Sequence, residues 1–511
     1  MKCSRIYLTN HILISHIFKL TLNYVYNEGG QVHFTQKSVG MDNTMKLRQV
    51  ISIIVSKLTI YLLHLLRRGG TTLPGKVAFK LYPGILKSIA SSFEIIMVTG
   101  TNGKTTTTRI VEEILKNNNV DYITNKSGAN LLSGITTLFI QAVSISGKPK
   151  HKVALIESDE AAFNQVTKHI TPKAVIVTNF FRDQLDRYGE LYSTLNAVKS
   201  GLERIGDNTA LLLNADDSMC ASLGIDTAKP VFYYGINQQA YQGTSENINS
   251  DAMFCILCKN KYEYSNHIYG HLGGFYCTNC GYKRPDAHLE CIEIQEAGSS
   301  YSTIKCKCSS SLLQENNEFV TRINLPGLYN IYNAMAAAVC GLALGYKVET
   351  ISSALQSFES GFGRMETINV MDKTIKLILV KNPTGFNQVL SFLALENQSL
   401  NTAFLINDNL ADGTDISWLW DVDFEQLNNV SDKIDGLITS GVRGEDMAVR
   451  LKYSGLDSSK IKIIKDYQML IEEGLKKTPP GGCFYILPTY TAMLDIRSIL
   501  KKKFNLKEFW K

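Results

Sequence analysis

The chain has 511 residues, a formal net charge of +6, and a composition that is 44% apolar and 20% charged. That length exceeds what one hydrophobic core serves, so two to four domains are expected, and the ordinary composition excludes a disordered or fibrous protein. So small a charge does not call for a nucleic-acid partner, though it suits phosphate-bearing substrates or an anionic membrane face; 11 cysteines in so large a chain point to reduced thiols, some on metal, rather than a disulfide framework.

Residues 1–44 open with "MKCSRIYLTNHILISHIFKL", where Lys2 and Arg5 precede an apolar stretch. Asn10, His11, His16 and Lys19 interrupt it and no small-residue cleavage site follows, so export is not expected. With Met41 and Met45 close behind, the segment reads as an upstream extension absent from the working protein. Residues 45–90 are expected to hold one helix and a linker. "KLRQVISIIVSKLTIYLLHLLRR" (Lys46–Arg68) is about long enough to span a membrane, but Arg48, Lys57 and His64 break it, and it reads as an amphipathic helix packed on a core.

A central domain is expected over residues 91–364. In "EIIMVTGTNGKTTTTRIVEEIL" the run Ile95–Val98 reads as a buried strand, Gly100-Thr101-Asn102-Gly103-Lys104-Thr105 as a glycine loop, and Thr106–Leu115 as a helix. Strand, loop and helix in that order are the context of a phosphate-binding loop. Gly100 and Gly103 let backbone N–H groups turn toward phosphate oxygens, Lys104 brings positive charge to the β/γ-phosphates, the Thr105 hydroxyl is a Mg²⁺ ligand, and the helix start adds a favourable field. Gly100 to Thr106 are therefore the candidate nucleotide-binding residues.

Within this domain, Cys255-x2-Cys258 and Cys277-x2-Cys280 stand 18 residues apart, the spacing of a tetrahedral four-cysteine zinc site. All four ligands come from the protein, so the zinc is expected to be structural, folding a small ribbon over residues 250–285. His267 and His271 are spare ligands at most. Cys306-Lys307-Cys308 is too close-set to be a complete site, and Cys340 reads as core.

Residues 365–511 are expected to form a smaller α/β domain, where strand-like runs "IKLILV", "TAFLIN", "DGLITS" and "CFYILP" alternate with helical stretches. It carries "INDNLADGTDISWLWDVDFE" (Ile406–Glu425), with the carboxylates Asp408, Asp412, Asp415, Asp421, Asp423 and Glu425 and with Trp418 and Trp420. Counted from Asp408, a calcium loop would need oxygen ligands where Leu410 and Leu419 stand, so that reading fails. Paired tryptophans favour a contact surface over a plain solvated loop. Cys483, in "PPGGCFYILP", is the one cysteine in a glycine turn, but it runs into an apolar strand and is a poor glutaminase nucleophile.

The short form "GTNGKT" resembles the ATP loop of the Mur ligases and folylpolyglutamate synthetases. "ALIESDEAAF", "VIVTNFFRDQLDRYGE", "LLLNADD", "LPGLYNIYNAMAAA" and "GFGRMETI" follow in that family's order, from about Ile95 to Thr367. The resemblance implies ATP and Mg²⁺ as cofactors, Glu157 with Thr105 on Mg²⁺, Asn330 and Asn333 near the adenine, and Arg364 as a further cation where the domains meet. It also implies the fold: an α/β, Mur-ligase-like P-loop central domain with the zinc ribbon inserted, plus a smaller α/β C-terminal domain. Four departures stand out. Gln184 replaces a metal-binding histidine, Tyr329 replaces another, Lys199 sits one residue out of register with a lysine the family carbamylates, and "LVKNPTGFNQ" replaces "DYAHNP". The ordinary members also spend a domain on a uridine nucleotide before the first strand, where this chain has a helix and a linker.

Loop, ribbon, missing uridine domain, "VKNPTG" and the acidic segment together resemble the branch of the family that amidates lipid II. That branch implies ATP-dependent amidation of the D-glutamate α-carboxyl of the stem peptide to D-isoglutamine through an acyl phosphate, with Lys104 and Glu157 at the chemistry. It implies a GatD-type glutamine amidotransferase as partner, lipid II as substrate, and work in the cytoplasm at the inner face of the membrane. Asp415, in "GTDISW", would complete the partner's Cys–His pair; the alternative is that it only caps the following turn. Two other readings remain: a stand-alone Mur-type amino-acid ligase, and a zinc-ribbon nucleic-acid-binding ATPase. The second would need a basic stripe with interleaved aromatics, where only Lys283 and Arg284 flank the knuckle.

Overall fold

The computed structural model describes residues 39–66, 71–125, 129–182, 191–241, 252–298, 300–313, 317–358, 364–394, 396 and 398–506. Residues 1–38, including Lys2, Arg5 and the interrupted apolar stretch, lie outside it, as do Asp183, Gln184 and Asp186. The chain divides into Met1–Arg48 and Gln49–Lys511. Of the first unit, only residues 39–48 are described, and they are helical.

Two sheets dominate the second unit. The larger has nine strands: β1 (Glu94–Thr99), β2 (Tyr122–Thr124), β3 (Val153–Glu157), β4 (Ala174–Val177), β5 (Ala210–Asn214), β6 (Val231–Ile236), β9 (Leu289–Ala297), β10 (Ser302–Cys308) and β11 (Glu318–Ile323). Their order is β11-β10-β9-β6-β5-β4-β1-β3-β2. From β2 to β9 every pairing is parallel, and β9-β10-β11 close the edge as an antiparallel meander. The parallel strands are apolar runs such as "EIIMVT", "VALIE" and "ALLLN" because helices cover both faces. Helices Lys104–Asn117, Leu328–Ala343 and Val348–Ser357 cover one face, and Leu132–Ala142, Glu160–Val166 and Leu191–Arg204 the other.

Strand β1 lies between β3 and β4, so the chain leaves it toward β2 and β3 and later crosses to β4. Such a reversal opens a crevice at the carboxyl ends of the strands, where α/β proteins bind ligands. The glycine loop occupies that crevice.

The ribbon hairpin, β7 (Glu263–Tyr269) with β8 (Leu272–Tyr276), forms a separate two-stranded sheet between β6 and β9 in sequence. The second large sheet has six strands in the order β12-β13-β17-β14-β15-β16: β12 (Arg364–Val370), β13 (Lys373–Ile378), β14 (Leu400–Leu405), β15 (Ile434–Ser440), β16 (Ile461–Ile463) and β17 (Cys483–Pro488). Only β12–β13 is antiparallel. Helices Pro383–Ala394 and Gly444–Tyr453 pack on one face, Tyr467–Lys477 and Tyr490–Phe504 on the other. The α/β architecture, four-cysteine ribbon and second α/β sheet expected from the sequence are all present.

Candidate functional site

Gly100 and Gly103 have φ of 116° and 85°, left-handed values that favour glycine. Space adds a second reason. A Cβ at Gly100 would lie 2.4 Å from Thr178 Oγ1, and one at Gly103 2.0 Å from Asn333 Oδ1. The loop is tied to the β4 exit, where Thr101 N donates to Asn179 O at 2.8 Å and Asn102 N to Asn179 Oδ1 at 2.9 Å.

Lys104 starts the helix and is buried. Its Nζ donates to Gly100 O, to Thr101 O at 3.2 Å and to Glu160 Oε2 at 3.1 Å. Thr105 Oγ1 donates to Glu157 Oε1 at 3.0 Å. Glu157 ends β3 directly beside Val98 of β1, and its backbone is clamped from both sides by Asn125. A buried hydroxyl and carboxylate side by side are hard oxygen donors of the kind Mg²⁺ takes. Glu160 carries no signal that singles it out from its acidic neighbours in "ESDEAAF". Burial raises its carboxyl above the usual range, with the Lys104 ammonium opposing that shift.

Asn333 reaches the loop, accepting from Thr107 Oγ1 at 3.4 Å, while its Nδ2 donates to Asn330 Oδ1 at 3.1 Å. Asn330 Nδ2 bonds Pro326 O at 2.7 Å, so it sits one shell behind the loop. The Arg364 side chain lies outside what the structure describes. Lys199 is exposed and lines a different cavity beside the helix Leu191–Arg204.

Facing the loop is a small cleft of about 100 Å³, tighter than the usual ~300–1,000 Å³ of small-molecule sites. Asn102, Gly103, Thr106, Asn179, Tyr329 and Asn333 form one wall; Lys381, Asn382, Thr384, Gly385 and Gln388 form the other. The opposing residues are those of "LVKNPTGFNQ", at the exit of β13 and the start of helix Pro383–Ala394. Asn382 Nδ2 spans the gap to Asn102 Oδ1 at 2.9 Å. The sequence marked this stretch only as a departure from a pattern.

Tyr269 also lines the cleft. It comes from the hairpin of the cysteine ribbon. Cys255, Cys258, Cys277 and Cys280 gather with all four Sγ atoms within 4.8 Å of one another, Cys255–Cys280 at 3.5 Å and Cys258–Cys277 at 3.4 Å. A Zn–S distance of about 2.3 Å puts tetrahedral sulphurs roughly 3.8 Å apart, so the four residues fit zinc. Neither His267 nor His271 joins this cluster. Instead His271 is buried against Phe181, 3.4 Å from Asp217. The ribbon is anchored by the strand-end pair after β5. Buried Asp216 accepts from Arg284 Nε at 2.5 Å, Tyr332 Oη at 2.6 Å and Ile236 N at 2.7 Å. Through that anchor the hairpin brings Tyr269 flat against Phe181, 5.9 Å between ring centres, and Phe181 in turn bonds Thr101 of the loop. No sequence signal pointed to Tyr269.

The acidic segment lies on the six-stranded sheet. Asp415 is exposed and accepts from Ser417 N at 2.8 Å, capping the turn Ser417–Asp421; that N–H and the Ser417 hydroxyl hold its carboxyl below the usual range. Asp412 turns inward, accepting from Thr491 N at 2.7 Å. The tryptophans divide: Trp418 packs on Phe386, whereas Trp420 is 57% exposed beside Tyr453, itself 74% exposed. Burial pushes the Cys483 thiol up to about 11, the opposite of an activated nucleophile.

Comparison with known proteins agrees with this arrangement. The profile of the Mur ligase middle domain matches residues 98–280, and that of the MurT ligase C-terminal domain matches residues 379–493. A pseudomurein peptide ligase type C from Methanothermus fervidus has the same fold, with a TM-score of 0.60 at 21% identity, covering 82% of this chain and 80% of that one. The lipid II isoglutaminyl synthase (glutamine-hydrolyzing) subunit MurT of Streptococcus pneumoniae is 35% identical over 90% of this chain and 98% of its own. Its Staphylococcus aureus counterpart is 33% identical over 90% and 99%. A third of the residues shared along nearly the whole of both relatives, on a Mur-type fold with a MurT-type C-terminal segment, shows that the chain belongs to the MurT family of Mur-type ligases.

Proposed function

We propose that this chain is the ATP-dependent half of a lipid II isoglutaminyl synthase of peptidoglycan biosynthesis. The observation that carries the reading is the cleft. One wall includes Asn102, Gly103 and Thr106 of the loop, which also carries Lys104 and Thr105, the latter bonded to Glu157; the other is the MurT-type stretch Lys381–Gln388. ATP would lie with its phosphates on Gly100–Thr106 and its base toward Asn333 and Tyr329. The stem-peptide carboxylate would enter from the Lys381 side. Thr105 and Glu157 would hold Mg²⁺, which neutralises phosphate charge when bound.

A carboxylate resists ammonia until one oxygen becomes a leaving group. Transfer of the γ-phosphoryl to that oxygen yields ADP and an acyl phosphate. Ammonia then attacks the carbonyl carbon, the C–O bond to phosphate breaks, and a proton leaves the nitrogen. The chain's own residues position the reactants and stabilise charge, Lys104 on the transferring phosphoryl and Lys381 opposite. In this reading the central domain spans residues 91–364 and the C-terminal domain residues 365–511.

Ammonia would come from a glutaminase partner of the GatD type. Cys483 is no substitute for it, and the exposed group Leu410, Trp420 and Tyr453 around the acidic segment is a surface for such a subunit. Asp415 stands exposed in that segment, where it would orient the partner's histidine. Asp415→Asn should leave ammonia-driven amidation intact and abolish glutamine-driven amidation. Equal loss of both would mean that Asp415 serves only its own turn.

A further inference from the structure

Within the helix Val39–Leu65, the stretch Lys46–Leu65 is long and apolar enough to cross a bilayer by length and composition. Its inner face forbids that. Ser52, Ile53 and Ser56 are fully buried, Ser52 Oγ donates to Ala78 O at 3.1 Å, and Lys57 Nζ donates to Val143 O at 2.6 Å. A soluble surface helix packed this way should turn polar side chains outward. This one does not. Ile54, Leu58, Tyr61 and Leu65 follow at i, i+4, i+7 and i+11, with Leu62 and Leu66 alongside, and all six are exposed, Tyr61 by 66% and Leu65 by 69%. The turn at residues 144–147 packs beside the helix, since a Cβ on Gly147 would meet Gln49 and Ile53. That turn adds Ile145, 58% exposed, followed by the exposed Lys148 and Lys150.

The two segments that carry this stripe bear charge of one sign. No Asp or Glu occurs between Gln49 and Leu66 or between Val143 and Lys152, while Lys57, His64, Lys148 and Lys150 do. A protein partner's rim pairs charges of both signs; an anionic lipid surface asks for apolar side chains flanked by lysines alone. We infer that the outer face of residues 54–66, with the turn at 144–150, is a membrane-docking surface that lies in the interface of an anionic bilayer. It would hold the cleft near a lipid-linked substrate of the reaction proposed above, but vesicle binding can be measured without that reaction.

The test is flotation of the full chain with vesicles free of lipid II, either phosphatidylcholine alone or phosphatidylcholine mixed with phosphatidylglycerol. The chain should float with the anionic vesicles and far less with the neutral ones. Leu58→Glu/Tyr61→Glu/Leu62→Glu should abolish flotation, and Lys148→Glu/Lys150→Glu should weaken partition by at least about fivefold per lysine. Met371→Glu, at a residue 97% exposed elsewhere, is the control and should change nothing. All these positions are exposed, and circular dichroism checks that each variant is folded. No flotation of the wild-type chain, flotation unchanged in the triple variant, or light scattering showing a dimer that the triple variant disperses would each overturn the inference. A chain that floats but never amidates would instead count against the reaction.

Discussion

Lys104 and Glu160 set the chemistry of the loop at the level of single side chains. A triphosphate must replace Glu160 as the partner of the lysine. Burial raises the Glu160 carboxyl, so it takes up a proton as the pH falls through that raised value, and a neutral Glu160 releases Lys104 to the phosphates. Nucleotide affinity should therefore rise toward acid pH, and Glu160→Gln should be insensitive to pH over the same range. Calorimetric titration at several pH values checks this against the wild-type chain. Gly100, Lys104 and Thr105 stood out in the sequence because each has a fixed place after a strand, and Glu157 through the family resemblance. The sequence hid Glu160, whose role depends on one helical turn folding back over Lys104. Asp415 shows the converse: its motif was legible, but its visible bonds are to its own turn.

At the scale of elements, the ribbon and the strand-end acids work as one joint. Asp216 is fully buried against Arg284, Tyr332 and Ile236, so Asp216→Ala leaves Arg284 with Glu290 as its carboxylate partner and strands the Tyr332 hydroxyl and the Ile236 N–H. That should cost about 1–3 kcal/mol in a denaturant titration, the usual penalty for leaving buried donors without their acceptor. The joint places Tyr269 in the cleft wall. Tyr269→Phe should bind nucleotide nearly as the wild type does, whereas Tyr269→Ala should weaken it about fivefold, corresponding to roughly 1 kcal/mol of lost aromatic contact. Stripping zinc with a chelator should weaken nucleotide binding in the same way, read by titration rather than turnover. The cysteine spacing announced the ribbon and a four-thiol cluster that fits zinc, because four thiols at that spacing have few other uses. Where the hairpin would dock was not legible, since it depends on Asp216, Arg284 and Tyr332, which are far apart in the chain.

Across the whole molecule, the α/β class of the C-terminal part was readable from apolar runs alternating with helical stretches, and that of the central part from its strand–loop–helix motif and the family resemblance. The meeting of the two large sheets was not. Asn382 against Asn102 joins residues 280 positions apart, and "VKNPTG" has no periodicity that says what it faces. The long amphipathic helix was legible as a helix, but the exposure of its second apolar stripe became visible only once its inner face was packed.

The most direct test of the central claim is the mass of the stem peptide. The purified, zinc-loaded chain would be incubated with its glutaminase partner, lipid II, ATP, Mg²⁺ and glutamine, and then again with ammonium alone. The account predicts a product lighter by the difference between a hydroxyl and an amino group, with ADP and phosphate formed in step. An unchanged stem peptide in both incubations would contradict it. A gain of a whole amino acid would instead make the chain a peptide-forming Mur ligase.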